Sequence, residues 1–215
     1  VHDFKTPINS IEGMLDLIIK GHLSAKEAEE LANKMQHYVA QSKVSIDQLI
    51  VWLKSQMGAI STTKTQIDLK RMFEKVKTYH MRLSEQKNLS ININLTSTIS
   101  FYSDKELLFI ILNNLISNAI KFSPRNGSID LHGTMKADKN LLITVADHGK
   151  GMCHKQIEAI LDTSDHAPTA SAFSETGTGL GLIICKELIE KLSGSIKIES
   201  EENQGVKISI ILPTT

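Results

Sequence analysis

Asn114, Asn118 and Lys121 stand at i, i+4 and i+7 within DKELLFIILNNLISNAIKFSP, residues 104–124. On a helix that spacing stacks them into one narrow polar strip. Leu107, Leu108, Ile111, Leu112, Leu115, Ile116 and Ala119 make the rest of the same run a wide apolar face. Asparagine is a poor helix former because its amide competes for backbone bonds. Two asparagines among residues that want burial therefore need partners, either neighbouring backbone or a hard cation such as Mg²⁺ with Lys121 beside it for phosphate. Asp147-His148-Gly149-Lys150-Gly151 follows a strand-like run. It reads either as an ordinary acidic turn or as a carboxylate that accepts a bond from an exocyclic amine, with glycines letting backbone pass close to a purine. Gly177-Thr178-Gly179-Leu180-Gly181-Leu182 precedes an amphipathic pattern, as a flexible hinge or as a set of N–H groups facing phosphate at a helix start. No Gly-Lys-Ser/Thr follows and no strand closely precedes it, so it is neither a Walker loop nor a dinucleotide fingerprint.

A fourth group lies at the amino end, His2-Asp3-Phe4-Lys5-Thr6-Pro7. A histidine of ordinary pKa, about 6.5, is largely neutral near pH 7, so a ring nitrogen is free to attack phosphorus. Asp3 can take the proton of the other nitrogen. Thr6, one turn on, shares the histidine's helix face and could position a water. The other seven histidines show no metal-ligand spacing.

The elements that must position these groups are readable. Phe4, Ile8, Ile11, Leu15 and Ile18 mark a helix over residues 1–20, ended by Gly21. Ser24 with Glu27 forms a capping box for a long second helix, whose seam runs through Leu31, Met35, Tyr38, Ser42, Ile46, Leu49 and Leu53. A hairpin with so apolar a seam is expected to pair with a second copy as a homodimeric four-helix bundle. Gly58–Gln66 reads as a linker. After it come a helix through about Glu85, a strand at Leu89–Leu95, and the asparagine helix capped by Asp104 and stopped by Ser123-Pro124. Strands at Gly127–Thr134 and Asn140–Asp147 form a hairpin. Thr163–Thr176 reads as a mobile loop, Leu182–Leu192 as a helix, and Ser195–Ser200 and Val206–Leu212 as two last strands. The whole is an α hairpin followed by an α+β two-layer sandwich.

Acidic and basic residues balance, 24 against 24, so no global field points to nucleic acid or an anionic membrane. No apolar run reaches membrane-spanning length. The two cysteines, Cys153 and Cys185, suggest no bridge and a reducing, cytoplasmic setting. A first residue of Val with a motif starting at the second is expected of an excised piece of a longer protein, whose missing leading part is the place for a membrane anchor or a soluble sensor module.

Taken in this order, the motifs resemble those of the sensor histidine kinases of two-component systems. Asn114–Ser123 resembles their N box, Asp147–Gly151 and Gly177–Leu182 their two glycine boxes, and His2–Pro7 their H box, with Asp-Phe-Lys where Glu-Leu-Arg is frequent. The resemblance implies a dimerisation and phosphoacceptor hairpin (1–57), a linker (58–66) and an ATP-binding domain of the Bergerat, or GHKL, fold (67–215). It implies Mg²⁺ held by Asn114 and Asn118, phosphate contacts from Lys121, and a nucleotide pocket lined by Phe122. Asp147 would read the adenine amine, Gly149 and Gly151 would lie against the ring, and Gly177, Thr178, Gly179, Leu180 and Gly181 would cradle phosphate. Met152–Thr176 would be a lid, although Ile160–Asp165 stands where many members carry an aromatic F box. The implied activity is ATP-dependent phosphorylation of His2, aided by Asp3 and Thr6, and transfer to an aspartate of a response-regulator receiver domain, with phosphatase activity toward that regulator also within reach. Two other classes are a different ATPase on the same fold and a nucleotide-holding module without catalysis. Asparagine at 114, where a water-activating carboxylate would be wanted, argues against the first, and intact Asn and Gly boxes argue against the second.

Overall fold

A computed structural model describes residues 2–21, 23–56, 62–161 and 180–214. The chain divides into two units, one holding the two N-terminal helices and one holding all the strands and the other described helices.

In the first unit, α1 (His2–Ile19) and α2 (Ala25–Gln56) form a hairpin. Gly21 ends α1 in the left-handed region at φ +72°, where a glycine carries no Cβ penalty. The capping box forms as its sequence indicates. The Ser24 N–H and Oγ donate to Glu27 Oε2 at 2.8 and 2.7 Å, and the Glu27 N–H returns to Ser24 Oγ at 3.4 Å. These bonds hold the Glu27 carboxyl below its ordinary range. Along the seam Leu31, Met35, Tyr38 and Ser42 are half-buried, whereas Ile46 and Leu53 remain exposed within the single chain. Among the described residues no helix is long and apolar enough to cross a membrane.

The second unit is an α/β sandwich. A two-stranded antiparallel sheet pairs β1 (Lys64–Asp68) with β3 (Ser100–Asp104). A five-stranded sheet has the order β2-β4-β5-β7-β6, from β2 (Ser90–Leu95), β4 (Ser128–Met135), β5 (Asn140–Asp147), β7 (Val206–Pro213) and β6 (Ser195–Ser200). Only the β2–β4 pair is parallel. Period-two alternation puts Leu131, Val145 and Ile208 in one register row and Leu141 opposite Leu212, all buried. The other face carries His132, Thr144, Ser209 and Lys197, with Thr144 and Ser209 hydroxyls 3.3 Å apart. Helices α3 (Leu69–Gln86), α4 (Lys105–Phe122) and α6 (Leu180–Lys191) pack against the sheet, and α4 packs against α6. The short α5 (His154–Leu161) follows β5.

Three differences from the sequence reading stand out. The stretch Gly58–Gln66, read as linker, gives way to β1 at Lys64, because these polar residues find a partner strand in Ser100–Asp104 far along the chain. Strand β3 carried no periodic signal of its own. Helix α5 lies inside the stretch read as lid. The loop expected over Thr163–Thr176 lies outside the described residues.

Candidate functional site

The site is built on α4. Asp104 caps its start, accepting from the Glu106 and Leu107 N–H groups at 3.0 and 2.9 Å, while its second oxygen accepts from Thr63 N at 2.7 Å. Ser123 ends it in extended conformation, as a residue before proline must. Between these stops Asn114, Asn118 and Lys121 stand on successive turns as the spacing predicts. Asn114 is 3 % exposed, Asn118 is half-buried and Lys121 is exposed, so the strip runs from the core outward. Phe122 is half-buried, and two ammonium groups lie over its ring, Lys121 Nζ 5.2 Å and Lys150 Nζ 4.9 Å from its centre.

The end of β5 meets the end of α4 here. Asp147 Oδ1 accepts from the Gly149 N–H at 2.8 Å. Burial pushes the Asp147 carboxyl above the ordinary carboxylate range, and the Gly149 and Val206 amides and the His148 charge pull it only partly back. A Cβ at Gly149 would fall 2.5 Å from the Phe122 carbonyl oxygen, so the two motifs touch through backbone that only glycine permits. Gly151, at φ +69°, lies against the Glu201 carbonyl with no room for a side chain.

Sequence reasoning missed what holds this loop. The turn between β6 and β7 clamps it: Met152 N donates to Ser200 Oγ at 2.8 Å, Ser200 Oγ donates to the Gly205 carbonyl at 2.5 Å, and Asn203 N donates to the Lys150 carbonyl at 2.7 Å. The one hint was Gly205 closing a polar run. A cleft of 640 Å³ opens beside the clamp between Asp147, His148, His154, Ile157 and Ser200. Of the residues expected to hold nucleotide, Asp147 alone lines it, and no residue of α4 does.

Helix α6 starts at Leu180, with Gly181 half-buried in its first turn. Cys185 on α6 is fully buried, its Sγ 3.7 Å from the Ile111 carbonyl of α4, and burial pushes its thiol far up. The helix after the second glycine run therefore neighbours the asparagine helix. Gly177, Thr178 and Gly179 lie outside the described residues. His2, Asp3 and Thr6 fall in the first turns of α1, in the other unit; their side chains lie outside the described residues too.

The residues present fit a magnesium nucleotide. Asparagine amides are hard oxygen donors, and Asn114 and Asn118 stand one turn apart on the same helix as the Lys121 ammonium group. Among the described residues no group of three or more His, Cys, Asp or Glu could hold a metal by itself.

The family profile described as histidine kinase-, DNA gyrase B-, and HSP90-like ATPase matches residues 103–215. The sensor histidine kinase YclK of Bacillus subtilis is 28% identical across 100% of this chain, and BaeS of Escherichia coli is 25% identical across 99%. In both cases the chain spans 45% of the relative's length. LuxQ of Vibrio parahaemolyticus, an autoinducer 2 sensor kinase/phosphatase, is 25% identical across 99% of the chain, which spans 25% of LuxQ. Among solved structures, the Acinetobacter baumannii histidine kinase AdeS shares the fold over 100% of this chain and 98% of its own, with a TM-score of 0.76 at 23% identity.

Proposed function

Because this chain belongs to the histidine kinase-, DNA gyrase B- and HSP90-like ATPase family, and its end-to-end relatives are sensor histidine kinases, we propose that it is the catalytic core of one. The hairpin would be the dimerising phosphoacceptor part and the sandwich from β1 onward the ATP-binding part. One observation supports the reading: Gly149 packs on the carbonyl of Phe122, so the carboxylate that would read adenine lies near the end of the α4 strip that would face phosphate.

Asp147 accepts the adenine amino group while its Oδ1 stays tethered to the Gly149 amide. Asn114 and Asn118 direct amide oxygens, and Lys121 its ammonium group, toward the phosphate chain. Mg²⁺, when bound, neutralises charge on the phosphates and draws electron density from the bond to be broken. The His2 imidazole attacks the γ-phosphorus in line. A nitrogen–phosphorus bond forms, the bond to the bridging oxygen breaks, ADP leaves, and Asp3 takes the proton from the other ring nitrogen. Phosphoryl transfer of this kind depends on positioning and charge neutralisation more than on covalent help. The group then passes to an aspartate of a receiver domain, and Thr6 would position water for the separate hydrolysis of that aspartyl phosphate, which releases inorganic phosphate. Leu15, Leu17, Ile46, Ile50 and Leu53, each more than two-fifths exposed in the single chain, support burial against a second copy.

Incubation with γ-labelled ATP and Mg²⁺ tests this. Acid-labile, base-stable label on the protein, lost in His2→Gln, is the expected result. Released phosphate with unlabelled protein would make the chain an ATPase of another sort.

A further inference from the structure

We propose that Lys87 is a positioning residue for the nucleotide site: its ammonium group closes the carboxy-terminal end of α4 and fixes the turn that presents Lys121 and Phe122. The inference rests on the reading of that turn given above.

The need arises from the sequence of the turn. In a continuing helix the carbonyl of Ile120 would accept from the N–H of residue 124, but residue 124 is proline and has none. The chain leaves the helix at Ser123, whose own N–H goes back to Ala119 at 3.0 Å. The carbonyls of Ile120 and Lys121 are thus left at the negative end of the helix dipole, where orphan acceptors are costly and a cation is favoured. Lys87 Nζ meets them at 2.8 Å each and takes the Ser123 carbonyl as well, at 3.1 Å. An ammonium group has three donors, and all three are used on this one turn.

Lys87 can reach α4 because its own backbone is held. Its N–H caps α3 through the Ser84 carbonyl at 3.2 Å, and Asn88 turns the chain at φ +53°. The loop after α4 reciprocates: Asn126 N donates to the Lys87 carbonyl at 3.0 Å, and Arg125 donates to Gln86 O at 3.1 Å. The last turn of α4 is therefore gripped from two sides. Lys87 holds its carbonyls from α3, and Gly149 abuts the Phe122 carbonyl from the purine side. The same ammonium offsets the negative helix end, which otherwise lies in the turn expected to receive a polyphosphate anion.

The test is calorimetric titration of the full chain with Mg-ATP, well below its melting temperature. It compares wild type, Lys87→Met, Lys87→Gln and Lys87→Arg, and repeats Lys87→Met in a Lys121→Ala background. Lys87→Met is expected to bind about tenfold more weakly, since charge-assisted bonds are worth roughly that much when lost. Lys87→Arg, which keeps charge and donors, should recover most of the affinity. In the Lys121→Ala background the Met penalty should shrink markedly, because coupled residues are non-additive where a general loss of stability is not. Wild-type affinity in Lys87→Met, or an equal penalty in both backgrounds, overturns the role of Lys87 and leaves the nucleotide site standing. Loss of folding in both the Met and Gln variants assigns Lys87 to stability alone and overturns it as well. If wild type itself binds no Mg-ATP, the nucleotide reading falls and takes this inference with it.

Discussion

Gly149→Ala places one methyl group between the two halves of the proposed nucleotide site. Its carbon would lie 2.5 Å from the Phe122 carbonyl oxygen, 2.9 Å from the Phe122 carbonyl carbon and 2.8 Å from Asp147 Oδ1. All three are shorter than real contacts allow, and two of the atoms are backbone. The end of α4 cannot retreat easily, because Lys87 fastens its last carbonyls and Ser123 has already turned out of the helix. The loop from Asp147 must therefore move by several tenths of an ångström, and with it the carboxylate proposed to read adenine. Overpacking of this sort costs about 1–3 kcal/mol. Where the loop yields on nucleotide binding, that converts to about five- to 150-fold weaker Mg-ATP affinity by titration calorimetry, with the remainder seen as a lower melting temperature. Gly13→Ala is the control. Gly13 sits in α1 with nothing within 4 Å of where the added methyl would stand, so the change should leave ATP affinity alone and favour the helix. Wild-type affinity together with an unchanged melting temperature in Gly149→Ala would refute the claim that the two motifs touch here.

The remaining predictions concern stability and pH. Asp147 holds its proton more tightly folded than unfolded, so the nucleotide-free protein should gain stability as pH falls through the raised value toward the ordinary carboxylate range. Asp147→Asn should then melt higher than wild type at neutral pH, with the gap closing in acid, while binding ATP more weakly; a gap that does not change with pH would contradict this. His80, 3 % exposed, has neither ring nitrogen in a hydrogen bond of sound geometry although Asn113 lies beside it, and burial holds the imidazole below its ordinary value. Stability should therefore fall as pH drops from about 6.5 through the lowered value, where the unfolded chain takes a proton first, and His80→Leu should flatten that part of the profile of melting temperature against pH. Asp104→Ala removes two cap bonds and the tie to Thr63, and should cost about 1–2 kcal/mol or more in a urea melt, far above a surface substitution.

Much of the second unit was legible because its residues speak locally. Asp104, the apolar face, the Asn-Lys strip and Ser123-Pro124 define α4 without reference to any other element, and Ser24 with Glu27 does the same for the start of α2. Strands β1 and β3 were illegible because their pairing is remote. Lys64, Thr65 and Gln66 are exposed polar residues, and their strand exists only because residues 100–104 lie alongside. Helix α5 is short, and three apolar positions, Ile157, Ile160 and Leu161, beside polar residues do not separate helix from loop.

The parts of the candidate site that escaped the sequence share a physical character. Side chains that would face a nucleotide announce themselves by type, as Asn114, Lys121 and Asp147 do. The contacts that align them run through backbone oxygens: Phe122 against Gly149, Glu201 against Gly151, Gly205 on Ser200, and Ile120, Lys121 and Ser123 on Lys87. A carbonyl has no letter of its own. It becomes visible in a sequence only by what its neighbours exclude, a Cβ at Gly149 or an N–H at Pro124. The glycine was readable as a motif, while the proline read only as a helix stop, when its missing donor is also the reason a lysine thirty-seven positions earlier, counting back from 124 to 87, has a place to bind.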